Sequence, residues 1–94
     1  VVFLDPYVPP GTELALGIER AASLHALMAI SDVLSVHCPL TPETTGFIGD
    51  DAFAAAKPGM RLVNTARGPI VDLGAVERAL RSDRLVAAGL DVLP

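Results

Sequence analysis

One cysteine, no tryptophan and an aromatic content of 4% are the first shortages of this 94-residue chain. A lone Cys38 excludes an intrachain disulfide, so stability must come from a packed core, and a reducing cytoplasm is the expected setting. There is no run of lysine or arginine. The 7 basic residues are mostly scattered among 11 acidic ones for a net charge of −4, which leaves no electrostatic footprint for nucleic acid or an anionic membrane. No apolar run approaches the roughly 20 residues needed to span a bilayer. Val1-Val2-Phe3-Leu4 carries neither the basic region nor the cleavage site of a signal peptide. Zinc-ligand spacing, a P-loop and a nucleophile elbow are all missing. The glycines fall at 11, 17, 46, 49, 59, 68, 74 and 89, so no Gly-x-Gly exists.

What remains is a chain 51% hydrophobic and only 19% charged, which excludes a disordered segment or a coiled coil and suits one small domain. Four apolar runs read as strands: Val1 to Leu4, Val33 to Val36, Arg61 to Asn64 and Leu85 to Val92. They scarcely alternate, apart from Arg61, which is the expectation for strands covered on both faces. Three helical patterns lie between them. Ser23 caps one carrying Leu24, Leu27 and Met28. Asp50 and Asp51 put negative charge at the start of a second, which carries Phe53 and is stopped by Lys57-Pro58-Gly59. Asp72 caps a third, with Leu73, Val76 and Leu80 on one stripe. Between Glu13 and Arg20 a helical turn and a short strand are both open. This alternation predicts a parallel α/β sheet with helices on both faces. Because the chain opens inside one apolar strand and stops just after another, it reads as an excerpt of a longer protein.

Each main strand ends in polar groups: Asp5, His37-Cys38, Asn64-Thr65 and Asp91, spaced 32, 27 and 27 residues apart, about one βαβ unit each. Parallel strands gather such ends along one edge, where open α/β sheets bind ligands. Asp5 suits the two ribose hydroxyls of NAD, or equally an Asx turn into Pro6. Arg67, three residues past a buried strand and beside Gly68, can fork onto a carboxylate or phosphate. A cation is disfavoured as a cap at a helix start, which makes Arg67 the foremost functional candidate. Asp91 either caps a turn or bonds a ligand amide. His25 reads as a helix-face residue and Cys38 as a small apolar filler. His37 and Cys38 point to opposite strand faces and cannot easily share a metal.

Val-His-Cys-Pro-Leu-Thr-Pro-Glu-Thr (36–44), Lys-Pro-Gly (57–59), Val-Asn-Thr-Ala-Arg-Gly-Pro-Ile-Val-Asp (63–72) and Ala-Gly-Leu-Asp-Val (88–92) together resemble the D-isomer-specific 2-hydroxyacid dehydrogenases. Asp-Pro-Tyr-Val-Pro-Pro-Gly (5–11) with His37-Cys38 leans toward the branch of the C-terminal-binding proteins and D-3-phosphoglycerate dehydrogenase. The resemblance covers the whole chain. It implies a Rossmann-type, doubly wound sheet lacking its first βα unit with the glycine-rich turn, so residues 1–94 would be the C-terminal portion of an NAD-binding domain, without the substrate domain. It implies that Asp5 holds the adenosine ribose, that Cys38, Pro39 and Thr44 line the cofactor loop, and that Thr65 and Ala66 touch the nicotinamide half. Asp91 would bond the carboxamide, and Arg67 would grip the carboxylate of a small 2-oxoacid. The family's acid/base histidine matches neither His25 nor His37, and the helix start Asp72-Leu73-Gly74 lacks the acidic residue usual after the Asp.

The activity so implied is hydride transfer between NAD(H) and a D-2-hydroxyacid or 2-oxoacid, in a cytoplasmic homodimer, with this fragment inactive alone. A non-catalytic NAD(H)-sensing scaffold of the C-terminal-binding-protein type is the alternative. In the order 3-2-1-4-5-6 the absent strand is central, so the runs at 1–4 and 33–36 should flank it without pairing.

Overall fold

In the computed structural model, residues 1–5 and 9–91 are described. In chain order they form β1 (Val2–Phe3), α1 (Thr12–Leu16), β2 (Glu19–Arg20), α2 (Leu24–Ile30), β3 (Val33–Val36), α3 (Asp50–Ala55), β4 (Met60–Asn64), a 3-10 turn (Gly68–Ile70), α4 (Leu73–Arg81) and β5 (Leu85–Leu90). The stretch left open in the sequence holds both a helical turn and a strand. Val92, the expected end of the last strand, and Pro6 to Val8 of the first motif lie outside the described residues.

All strand pairs are parallel, in two separate sheets. β1 pairs with β2, while β3, β4 and β5 form a three-stranded sheet in that order. As expected, no ladder joins β1 to β3 among the described residues. The two sheets are joined by packing: Val2 and Leu4 lie against the core that runs from Ala21 and Met28 to Leu62, Ile70 and Leu85. Each large side chain buried there contributes about 1.5–3 kcal/mol relative to leaving it in water.

Burial of the larger sheet departs from the expectation of two covered faces. Leu34, Val36, Met60, Leu62 and Asn64 are buried on one side, beneath the layer that includes α2, α3 and α4. On the other side Val33 is 55% exposed, and Ser35, Arg61, Ala87 and Gly89 are also open. The register explains the segregation. Val33 faces Arg61, which faces Ala87, whereas Leu34 faces Leu62. In parallel strands, paired residues share a face. A shift between Met60 and Arg61 leaves Val86 without a partner, and it is 50% exposed.

The helix starts follow their expected caps. Ser23 Oγ accepts from Ala26 N at 3.1 Å, and Asp72 Oδ1 accepts from Gly74 N at 3.0 Å and Ala75 N at 3.3 Å. At Gly59 the backbone takes φ 86°, so Pro58-Gly59 turns the chain sharply from α3 into β4. Across the helix layer, Arg78 of α4 grips Asp50 of α3 with Nε–Oδ1 3.0 Å and Nη2–Oδ2 2.9 Å. That guanidinium holds the Asp50 carboxyl below its ordinary range.

Candidate functional site

The ends of the larger sheet are level. Val36 pairs with Asn64, and Asn64 with Leu90, so the next residues, His37, Thr65 and Asp91, leave along one edge. Asp91 N donates to Asn64 O at 3.1 Å, extending the ladder one step into the loops. Thr65 and Asp91 are exposed on this edge.

Arg67 stands beyond β4 on a loop tied at both ends. Upstream, the side chain of Asn64, 1% exposed, bridges the turn. Its Oδ1 accepts from Ala66 N at 3.0 Å and its Nδ2 donates to Arg67 O at 2.9 Å. This is an Asx turn with a second bond closing it. Downstream, Gly46 N donates to Pro69 O at 2.8 Å, Ile48 N to Ile70 O at 3.1 Å, and Asp72 N to Ile48 O at 3.0 Å. Gly46, with φ 67°, makes the bend that brings this second loop alongside. Ile70 and Val71 anchor the segment in the core. Arg67 itself is exposed. Among the described residues it forms no ion pair, and its guanidinium donates only to the adjacent Ala66 O, at 3.3 Å.

The loop after β3 is organised by threonines. Thr44 Oγ1 donates to Pro39 O at 2.8 Å and accepts from Thr41 N at 2.7 Å, while Thr45 Oγ1 donates to Thr41 O at 2.9 Å. Thr44 therefore shapes the 39–45 loop with a hydroxyl already engaged on both sides. Cys38 is half-buried against the core, as a small apolar filler would be. The exposed His37 places Nε2 2.6 Å from Ser35 Oγ, two residues back on the same strand face.

Asp5 follows β1 in the smaller sheet, half-buried. Arg20 is the staple of this region. It donates to Asp5 O at 2.9 Å and Pro9 O at 3.0 Å, bonds Glu13 Oε2 at 2.7 Å, and lies over the Phe3 ring at 4.8 Å. Arg20, together with the Gly11 N–H, holds the Glu13 carboxyl below its ordinary range. No local pattern announces Arg20 in the sequence, because its partners lie up to 15 residues away. Asn64 was visible there as a polar strand end, but its bonds to the loop depend on the fold.

The register thus brings Thr65 and Asp91 to one edge with the Arg67 loop, and the 46–48 segment, which directly follows Thr45, runs beside that loop. Asp5 belongs to the other sheet. Asp5, Thr65, Arg67 and Asp91 do not line the hollow of about 690 Å³ at the starts of α2, α3 and α4, where Ser23, His25, Asp50, Asp51 and Asp72 lie; of the 46–48 segment, Gly46 and Phe47 reach it. Among the described residues, no group of three or more His, Cys, Asp or Glu could hold a metal, and no helix is long and apolar enough to cross a membrane.

The D-isomer specific 2-hydroxyacid dehydrogenase, NAD binding domain, family matches residues 1–94. D-3-phosphoglycerate dehydrogenase of Mycobacterium leprae is 50% identical over 92 residues, covering 98% of this chain and 17% of that relative's length. The holo form of D-mandelate dehydrogenase from Rhodotorula graminis superposes with a TM-score of 0.90 at 46% identity, covering 98% of this chain and 27% of that one. An NAD-complexed D-isomer specific 2-hydroxyacid dehydrogenase from Lactobacillus delbrueckii ssp. bulgaricus gives 0.87 at 32% identity, covering 100% and 28%.

Proposed function

This chain belongs to the NAD-binding domain family of the D-isomer-specific 2-hydroxyacid dehydrogenases, and from that premise we propose that it forms the C-terminal portion of such a domain in an NAD-dependent oxidoreductase acting on a small D-2-hydroxyacid or 2-oxoacid. The observation that carries this reading is Arg67: an exposed guanidinium without an ion pair among the described residues, on a loop whose backbone is fixed from both sides. A cation so placed, next to the edge where Thr65 and Asp91 emerge, matches what a substrate carboxylate requires.

The described residues fit part of a dinucleotide. Asp5 has the chemistry to accept from two ribose hydroxyls, Asp91 to accept from a carboxamide, and Thr65 and Ala66 supply a small, open surface for the nicotinamide half. Cys38, Pro39 and Thr44 form the neighbouring wall, with Thr44 acting through the loop shape it imposes. The chain contains no Gly-x-Gly to cradle the pyrophosphate, so that half falls to residues outside these 94. NAD(H), when bound, supplies or takes up the hydride. Arg67 contributes by orienting the 2-oxoacid carbonyl and by stabilising charge that develops on it. The proton for the carbonyl oxygen is assigned to a histidine outside these 94 residues, since neither His25 nor His37 matches the family's acid/base residue. A cytoplasmic homodimer is the setting proposed for the whole protein. The lone Cys38 suits a reducing compartment, and the family resemblance implies the dimer.

The test uses the full-length protein that carries this domain, with NADH and glyoxylate, hydroxypyruvate or 3-phosphohydroxypyruvate. Oxidation of NADH with one of them is expected; binding of NADH without turnover of any 2-oxoacid would favour a sensing scaffold. Arg67→Ala should lower kcat/KM by about 100-fold or more while leaving the NADH Kd within about twofold. Unchanged turnover would remove Arg67 from the reaction.

A further inference from the structure

We propose that Asn64 is a positioning residue for the reaction, setting where Arg67 presents its guanidinium; this rests on the reading of Arg67 as the carboxylate-binding group. Asn64 is the one buried polar side chain among the described residues, at 1% exposure. Burying an amide is costly unless its donors and acceptors are met. Here they are met by one short stretch of backbone, Ala66 N–H and Arg67 C=O. Only one orientation of the amide satisfies both, oxygen toward Ala66 and nitrogen toward Arg67. The side chain is thereby locked, and the peptide units on either side of Ala66 are locked with it.

The arrangement is specific to a strand end that must turn at once. The strand pairing of Asn64 ends at Leu90, and its carbonyl is taken by Asp91 N. From there the chain has three residues in which to leave the sheet before the turn at Gly68–Ile70 is caught by the 46–48 segment. The downstream bonds fix Pro69, Ile70 and Asp72. The Arg67 carbonyl accepts from the Asn64 amide at 2.9 Å and, at a longer 3.3 Å, from Ile70 N of the 3-10 turn, so the amide is the closer of its two ties. Arg67 takes an extended backbone, φ −145° and ψ 137°, and its guanidinium donates to Ala66 O at 3.3 Å. Without the amide, rotation of the 66–67 peptides would move the base of a long side chain, and the displacement would grow toward the guanidinium. A misplacement of about 1 Å at a positioning group costs on the order of 100-fold in rate.

The experiment is a double-mutant cycle in the full-length protein, reading kcat, KM for the 2-oxoacid and NADH Kd. Asn64→Ser shortens the side chain out of reach of Arg67 O. Asn64→Asp keeps the acceptor for Ala66 N–H and, as a carboxylate, lacks the donor. Each is expected to lower kcat/KM by about 10- to 100-fold, with the NADH Kd within about twofold. Each should add little to Arg67→Ala, because the amide acts through a side chain already removed. If Arg67→Ala is crippling while either Asn64 variant that still binds NADH is unimpaired, or multiplies fully with it, the positioning role is overturned and the Arg67 reading stands. If Arg67→Ala is itself silent, both fall together. Loss of NADH binding by both Asn64 variants would make Asn64 a residue of the fold alone and would also overturn the proposal.

Discussion

Thr44 and Thr45 carry the same hydroxyl one position apart, yet the structure gives them unequal work. Thr44 Oγ1 joins Pro39 O to Thr41 N, whereas Thr45 Oγ1 reaches only Thr41 O from an exposed site. Thr44→Val should therefore destabilise by about 1–2 kcal/mol and weaken NADH binding several-fold, with Thr45→Val close to wild type. Thermal melts and NADH titration of the full-length protein measure this, and equal effects of the two substitutions would refute the distinction. Such differences are hidden in the sequence, where both positions are threonines in a loop. Asp5, Arg67 and Asp91 could be singled out beforehand because a polar residue just past an apolar strand has a position dictated by topology. Asn64 and Arg20 could not be given their parts, because the backbone and side-chain atoms they meet are brought together only by folding.

At the scale of elements, capping and the alternation of strands with helices were readable in advance. Ser23 and Asp72 cap where an oxygen-bearing side chain precedes an apolar stripe. The ion pair between Asp50 and Arg78 was not readable, since 28 residues separate the partners. It makes the α3–α4 contact sensitive to acid. Arg78 lowers the Asp50 carboxyl in the folded state. The stabilisation is thus complete above the ordinary carboxylate range and is lost as pH falls through the depressed folded value. Glu13, lowered by Arg20, adds to the loss in the same direction. Stability measured by chemical denaturation from about pH 7 to pH 3 should decline along an acid limb, and Asp50→Asn should make that limb shallower. A limb of unchanged slope in Asp50→Asn would show that the pair contributes nothing. Asp50 is exposed and Glu13 half-buried, so raised salt should weaken the effect chiefly at the Asp50 pair.

For the whole molecule, the larger sheet is covered on one side and open on the other. Strand composition concealed this. Val33 and Val86 are as apolar as residues of the buried face, and the hydrophobicity of a strand does not reveal whether a covering element is present. As a free polypeptide, residues 1–94 should self-associate through that open apolar face at micromolar concentration. The pair Val33→Lys and Val86→Lys should shift sedimentation toward monomer without altering far-ultraviolet circular dichroism. A monomeric wild-type polypeptide would contradict this.

The loop bearing Arg67 is framed almost wholly by peptide groups and by one sequestered amide, with Thr65 and Arg67 themselves open to solvent. Folding and the proposed chemistry therefore draw on different atoms of the same few residues. Such a division favours evolvability: the outward groups of this rim can be exchanged for new specificities while the scaffold beneath is inherited intact.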